Sequence, residues 1–443
     1  MKQKAHFIGI GGIGISALAR YYASQGWKVT GSDLTESELT RGLRHDGVRI
    51  VIGHSAKHIP LDADLVVYSA AVRNENPELQ CARKLGIETQ TYAEALGDVT
   101  RKYFTFAVCG AHGKSTTTAM LSLILIEAGF DPTVILGTKL REFENSNFRR
   151  GKSEYLVIEA DEFNKSFLHY SPQVVIATNV DKEHLDTYGN LGNVIRTFSQ
   201  FLKKVPKSGA IVVNRKDRNS MQAFRSVRKM RHAPKMIYIN QGKDSHWPLQ
   251  IPGKFNQLNA EMAYRAAQFV GISKTVARKV LPRYLGSWRR MEQLVPRSKN
   301  GRGNDQLFFS DYAHHPTEIA ATIDALKKKY PKKKLVVVFE PHHIGRLNDL
   351  FKEFTSCFDE ADALILLPIY HVAGREKGLE KLKVAKDLFN AMRDRENPKK
   401  KMCLKNIQQS FKLLKKYSNS VIVFMGAGTI DANVRKVFNS KLL

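Results

Sequence analysis

The chain has 443 residues, 43% hydrophobic and 25% charged, a balance that suits a folded chain of roughly two to four domains and excludes a disordered or fibrous one. No apolar run reaches the roughly 18–20 residues of a membrane-crossing helix, and MKQKAHFIGIGG turns straight into a strand, so the expected setting is the cytoplasm, without membrane insertion. The 70 Lys+Arg outnumber the 42 Asp+Glu by +28, yet the basic clusters at Lys327 to Lys329, Lys332 to Lys334 and Lys399 to Lys401 fall at predicted helix ends or connections without interleaved aromatics. They read as solvated basic surface, and no nucleic acid is expected as a partner.

Strand and helix patterns alternate in three successive stretches, 1–97, 98–283 and 284–443, which predicts α/β architecture three times over. The first holds the strand AHFIGI, a helix from Ile13 to Gln25, and the strands WKVTGSD and DLVVYSA. In the second, FTFAVCG, YLVIEAD, QVVIATNV and GAIVVN read as strands, and a helix from Asn259 to Val270 with a short following helix closes it near Pro282. QLFFSDY, KLVVVFE, ALILLPIY and SVIVFMGAG are the strands of the third. Cys81, Cys109, Cys357 and Cys403 show no CxxC pair or metal-ligand spacing and are expected to be small buried hydrophobes of a reducing compartment.

Residues 9–14, GIGGIG, match GxGxxG at Gly9, Gly11 and Gly14 between a strand and a helix, with Asp33 closing the second strand. Glycines there let the backbone approach a pyrophosphate at a helix N-terminus, where free N–H groups favour anions. The spacing leaves NAD, FAD and a UDP-sugar open, as well as a tight turn that binds nothing. The second loop, GAHGKSTTT, runs through Gly110, Ala111, His112, Gly113, Lys114, Ser115 and Thr116 after the strand FTFAVC. It reads as a compressed phosphate-binding loop for ATP, with Lys114 on the β/γ-phosphates and the Ser115 hydroxyl on Mg²⁺. Two phosphate loops point to an enzyme that drives chemistry on one nucleotide with energy from another.

GAHGKSTTT is close to the GTHGKTTT-like loop of the Mur ligases, and the sequence resembles that family, the cytoplasmic ATP-dependent amide-forming enzymes of peptidoglycan synthesis. GIGGIGISALA, EADEFNKSFL, ATNVDKEHLDTYGN, GSWRRMEQL and SDYAHHPTEIAATI extend the resemblance over nearly the whole chain and place it nearest the alanine-adding branch. The resemblance implies an N-terminal Rossmann-like UDP-binding domain, a central P-loop ATPase domain and a C-terminal Rossmann-like domain. It also implies a reaction in which ATP phosphorylates the carboxylate of UDP-N-acetylmuramic acid and the amine of L-alanine attacks the acyl phosphate.

On that resemblance Gly11, Gly12, Gly14, Ile15 and Ser16, with Asp33 and Ser69, are expected at the UDP group. Ser115, Glu159 and His184 are the expected ligands of two Mg²⁺ ions, with Asp161 and Glu162 beside them and Asn179 a polar neighbour. Asn256 and Asn259 are expected on the adenine side, where Phe255 replaces a histidine and offers stacking instead. Arg289, Arg290 and Asp311 are expected near ATP, and His314, His315, Pro316, Thr317 and Glu318 as a wall for ATP or the amino acid. EPHHIGRL resembles QPHRYTRT, with His343 in place of the first arginine and Arg346 matching the second. Lys114, Glu159, His184, His315 and Arg346 make up the implied catalytic set. A tripeptide-joining recycling ligase is the alternative within the family. From other classes, an NAD-dependent oxidoreductase leaves GAHGKSTTT unexplained, and a basic nucleic-acid-binding ATPase leaves DYAHHPTE unexplained. A monomer and a homodimer both stay open.

Overall fold

Runs such as FTFAVC and SVIVFM carry no alternation of polar and apolar residues, so they suit strands buried on both faces and paired in parallel. The computed structural model, which describes residues 2–239, 246–294, 305–370, 383–393 and 395–439, arranges them in three sheets. The first contains β1 (Lys4–Ile8), β2 (Lys28–Asp33), β3 (Arg49–Ile52), β4 (Leu65–Tyr68) and β5 (Glu88–Thr91) in the order β3-β2-β1-β4-β5, all parallel. The order reverses between β1 and β4, which opens a crevice at their carboxyl ends. GIGGIG follows β1 into the helix Ile13–Ser24, and Ser69 follows β4.

The second sheet contains β6 (Phe104–Cys109), β7 (Thr133–Leu140), β8 (Ser146–Arg149), β9 (Tyr155–Glu159), β10 (Val174–Ala177), β11 (Ala210–Asn214) and β12 (Lys235–Ile239), in the order β12-β11-β10-β6-β9-β7-β8. Only β8 runs antiparallel, as a hairpin with β7. Tyr21, on the helix Ile13–Ser24, meets Phe148 of β8 and Tyr103 edge-on, so one apolar core serves both sheets. Together they form one compact unit, Met1–Glu183, Thr187–Pro248 and Leu258–Arg283.

The other unit, His184–Asp186, Leu249–Gln257 and Tyr284–Leu443, carries the third sheet. Its strands are β13 (Glu292–Leu294), β14 (Leu307–Asp311), β15 (Lys334–Phe339), β16 (Ala363–Leu366), β17 (Lys400–Cys403) and β18 (Ser420–Met425), in the order β13-β14-β18-β15-β16-β17 with β13 antiparallel.

Several expectations change. The helix expected from Asn259 begins at Lys254 and ends at Phe269, directly after Gly253, so Asn256 and Asn259 are helical. Cys109 and Cys357 are buried, but Cys81 is only partly so and Cys403 is exposed. Lys327 to Lys329 form the last turn of the helix Pro316–Lys329, where cations complement the carbonyl end. Lys399 instead leads into β17, a sheet edge, and Lys400 and Lys401 are that strand's first two residues. Among the described residues no helix is long and apolar enough to cross a membrane.

Candidate functional site

The glycine loop is tied down through its own backbone. The amides of Gly9 and Ile10 donate to the Ser32 carbonyl at 2.8 and 3.0 Å, and the Gly11 amide donates to Asp33 Oδ2 at 2.8 Å. Asp33 therefore shapes the loop as well as closing β2. Ser32 is fixed in turn, its hydroxyl donating to Glu78 Oε2 at 2.7 Å. Glu78 is fully buried and also meets His6 at 2.9 Å, His54 at 3.0 Å and His58 at 3.2 Å. Of the residues expected at the UDP group, Gly11, Gly12 and Gly14 lie along the turn into the helix, and Ser69 accepts the Ala71 amide at 3.3 Å at the end of β4. Ile15 and Ser16 are buried: Ile15 joins the apolar core, and Ser16 Oγ donates to the Ile13 carbonyl and accepts from Asn147. Their side chains belong to the fold, and the Ser16 amide donates to the Gly12 carbonyl at 2.9 Å, so a ligand is left the first-turn amides ahead of it.

The phosphate loop is held from β10. The Ala111 amide donates to the Asn179 carbonyl (3.2 Å) and the His112 amide to Asn179 Oδ1 (2.9 Å), while Thr178 Oγ1 and Asn179 Nδ2 donate back to the His112 carbonyl at 2.6 and 2.9 Å. The His112 ring lies 3.2 Å from Asp181. Asn179, a minor candidate from sequence, is thus a main strut of the loop. Gly113 takes φ +82°, and a Cβ there would lie 2.6 Å from Asn259 Oδ1. A left-handed backbone costs a residue with a side chain about 1–2 kcal/mol. Gly113→Val is therefore expected to weaken ATP binding by about tenfold or more, read by calorimetry with a non-hydrolysable analogue; wild-type affinity would contradict this account of the loop.

Lys114 opens the helix Lys114–Glu127, its ammonium donating to the Gly110 carbonyl (2.7 Å) and to both oxygens of Glu162 (2.9 and 3.0 Å). Burial alone disfavours a charged Lys114, but Glu162, Asp161 and Glu159 outweigh it and hold the ammonium protonated above the usual lysine range. Burial pushes Glu162 up to about 7 despite the lysine. Ser115 Oγ donates to Glu159 Oε1 at 3.1 Å, and Glu159 Oε2 accepts the Gly137 amide at 3.1 Å. Thr116 is buried beside them in the first turn. The sequence brought out Lys114, Ser115 and Glu159 but not the Lys114–Glu162 pair, whose members stand 48 positions apart.

In the other unit, His184 takes φ +53° just ahead of the single helical turn Leu185–Tyr188. Asn256 Nδ2 donates to the Pro252 carbonyl at 2.6 Å, and Phe255 packs on the core of the third sheet, a use that the stacking expectation did not anticipate. At the carboxyl end of β14, Asp311 accepts the Ala313 amide on Oδ1 (2.8 Å) and the Met291 amide on Oδ2 (2.7 Å), and burial pushes its carboxyl up to about 6. Arg289 is buried and donates to the carbonyls of Gly426 (2.6 Å) and Gly428 (3.2 Å), which makes it a clamp on the loop after β18. Arg290 lies over the Tyr312 ring at 4.9 Å and 3.6 Å from Glu318. His314 Nδ1 is 2.9 Å from the Tyr312 carbonyl. His315 is buried, and its Nδ1 accepts the Thr317 amide as the N-cap of Pro316–Lys329, so this ring nitrogen is committed to the helix. His343 likewise caps Ile344–Asp349 by accepting the Arg346 amide at 3.3 Å. The histidine that departs from the family string therefore orients the helix that bears Arg346.

Three family models match in succession: "Mur ligase family, catalytic domain" at 4–104, "Mur ligase middle domain" at 108–267 and "Mur ligase, glutamate ligase domain" at 289–428. A UDP-N-acetylmuramate--L-alanine ligase of Caldanaerobacter subterraneus is 37% identical over 410 residues, covering 87% of each chain. One from Sulfurihydrogenibium sp. is 34% identical over 97% of this chain and 95% of its own. Among solved structures, a UDP-N-acetylmuramate-alanine ligase from Thermotoga maritima matches with a TM-score of 0.81 at 26% identity, over 98% of this chain and 97% of that one. A murein peptide ligase from Psychrobacter arcticus matches with a TM-score of 0.70 at 23% identity, over 98% of each chain, a likeness of fold.

Proposed function

Since this chain belongs to the Mur ligase family, we propose that it joins L-alanine to UDP-N-acetylmuramate, with ATP converted to ADP and phosphate, as a step of peptidoglycan synthesis. It is an ATP-dependent, amide-forming ligase with three α/β domains. The observation that carries the reading is one compact unit holding both a glycine loop after β1 and a Lys114–Ser115 phosphate loop after β6, in a chain that aligns end to end with alanine-adding relatives. Residues 1–97 are assigned to the nucleotide sugar, 98–283 to ATP and 284–443 to completing the site. The reaction is assigned to the cytoplasm, where both nucleotides are dissolved.

The first-turn amides of Gly14 and Ile15 receive the UDP pyrophosphate, at the mouth of a loop that Gly11, Gly12 and Asp33 shape and that Ser16 and Ser69 flank. The amides of Gly113 to Thr116 and the Lys114 ammonium receive the phosphates of ATP, on a loop whose Gly110, Ala111 and His112 set its path, with Asn259 toward the base. The substrate carboxylate attacks the γ-phosphorus and ADP leaves; Lys114 and the loop amides stabilise the charge spread over the transferring group. The L-alanine amine then attacks the acyl carbon, and the tetrahedral intermediate collapses with loss of phosphate. Arg290, Asp311, His315 and Arg346 are assigned to contacts with ATP and the amine, and water is kept from the acyl phosphate, which it would hydrolyse. Ser115 Oγ and the Glu159 carboxylate are hard oxygen donors in contact, a set that suits Mg²⁺. When bound, the ion neutralises phosphate charge, and His184 is the candidate ligand for a second.

The test is phosphate release from ATP with Mg²⁺, UDP-N-acetylmuramic acid and, in turn, L-alanine, L-serine, glycine and murein tripeptide. Release that requires the nucleotide sugar together with L-alanine is the expected result. Release with tripeptide alone would move the chain to recycling, and release indifferent to the sugar would end the ligase reading.

A further inference from the structure

The β7–β8 hairpin touches the machinery on both sides. Its register shifts between Ile135 and Leu140, and such an irregularity re-aims successive groups along a strand. Gly137 turns its amide onto Glu159 Oε2 at 3.1 Å, an approach open only to glycine, since a Cβ would lie 2.6 Å from that oxygen. Two residues on, Lys139 pairs with Glu38, the first residue of the helix Glu38–His45 beside the first sheet. On the return strand, Asn147 is fully buried. Its Nδ2 donates to the Ile13 carbonyl (2.6 Å) and to Ser16 Oγ (2.8 Å), and its Oδ1 accepts from Arg20 Nη1 (2.6 Å). Both donors and the acceptor of one amide group are thereby spent on the helix that the glycine loop enters.

A side chain that only filled space at this point would be served by leucine. Three directed bonds to one helix, from a hairpin whose other strand holds Glu159, instead fix a distance. We propose that Asn147 is a positioning residue, which sets the glycine loop relative to Glu159 and the phosphate loop so that the sugar's carboxylate meets the γ-phosphate. Lys139 and Arg20 brace the same alignment from either end. The inference rests on the ligase reading above. Its physical basis is that a misplacement of about 1 Å, caused by a change far from the chemistry, can cost about a hundredfold in rate.

The experiment compares the full-length wild type with N147L, N147D, K139M and R20M. It measures kcat and each KM by phosphate release, separate calorimetric affinities for UDP-N-acetylmuramic acid and a non-hydrolysable ATP analogue, and thermal midpoints. In N147L and N147D, kcat is expected to fall by about tenfold to a hundredfold, with both separate affinities close to wild type. N147D keeps the acceptor for Arg20, so an equal fall there traces the effect to the two donor bonds. K139M and R20M are expected to fall less, in the same direction. Wild-type kcat in N147L, or a loss confined to the affinity for one ligand, overturns the proposal. If N147L does not fold, K139M and R20M decide, and unchanged kcat in both overturns it. A wild type without sugar-dependent release overturns the ligase reading and this proposal with it, whereas an active wild type with unaltered variants overturns the proposal alone.

Discussion

Lys114→Ala is expected to lower kcat by about a thousandfold, the scale seen when a preorganised charge on a transferring phosphoryl group is removed. The ammonium is already in the loop, charged, and held by Gly110 and Glu162, so phosphate oxygens of ATP meet a cation that needs no proton. The variant should still fold. Glu162 loses its partner, but burial has raised its carboxyl to about 7, so it escapes an uncompensated buried charge by taking up a proton. Phosphate release under saturating substrates gives the rate, and circular dichroism with a thermal melt confirms the fold. A folded variant that kept a tenth of wild-type kcat would remove Lys114 from the chemistry.

The second large effect lies in the first sheet. Glu78→Ala is expected to destabilise the unit by about 3–5 kcal/mol, the scale for removing one member of a buried charged network. Its carboxylate accepts from the Ser32 hydroxyl and the Ser55 amide and meets three imidazoles, so truncation takes a partner from five groups at once. Burial by itself raises the pKa of Glu78, but hydrogen bonds from His6, Ser32 and His54 outweigh it and hold the carboxyl down to about 2, against 4.5 for the free group. A folded pKa below the unfolded one means that the contribution is complete above pH 4.5 and is lost as pH falls from there towards 2. At about 1.4 kcal/mol per unit, this is about 3 kcal/mol. Urea titrations of wild type and Glu78→Gln across that range test the sign: the wild type should lose stability on acidification and the variant should lose less. Parallel acid limbs would show that Glu78 is not the group responsible.

What the sequence made legible was local. Both phosphate loops follow from a strand, a glycine turn and a helix written within about fifteen residues, and they stand where that grammar puts them. The helix Lys254–Phe269 starts ahead of the expected Asn259 because Pro252–Gly253 reads as loop, whereas the helix follows Gly253 immediately. TVILGTKL lies outside the strands expected from sequence, and its hairpin with β8 is recognisable only from the pairing. The network at Glu78 gathers residues 6, 30, 32, 54, 55, 58 and 78, which no periodicity connects. The same holds for Lys114 and Glu162: each was visible as a site residue, but that the two bond each other is a product of tertiary folding. His343 read as a departure from the family string, and only the helix cap shows what it does for Arg346.

The lysines that lead into β17 bear on how this protein behaves when crowded. The outermost strand of a sheet presents a row of backbone groups on which a foreign strand can assemble. Lys400 and Lys401 stand in that strand with Lys399 just ahead of them, three ammonium groups at one end of the edge in a chain of net charge +28. Two copies approaching edge to edge meet like charges before their backbones can register, so the charge excess acts as colloidal insulation. That insulation is made of long-range repulsion, and its reach shortens from about 30 Å in 0.01 M salt to about 3 Å in 1 M salt. Concentrated stocks of the protein therefore keep best in dilute buffer, and strong brine is the condition that lets neighbouring edges touch.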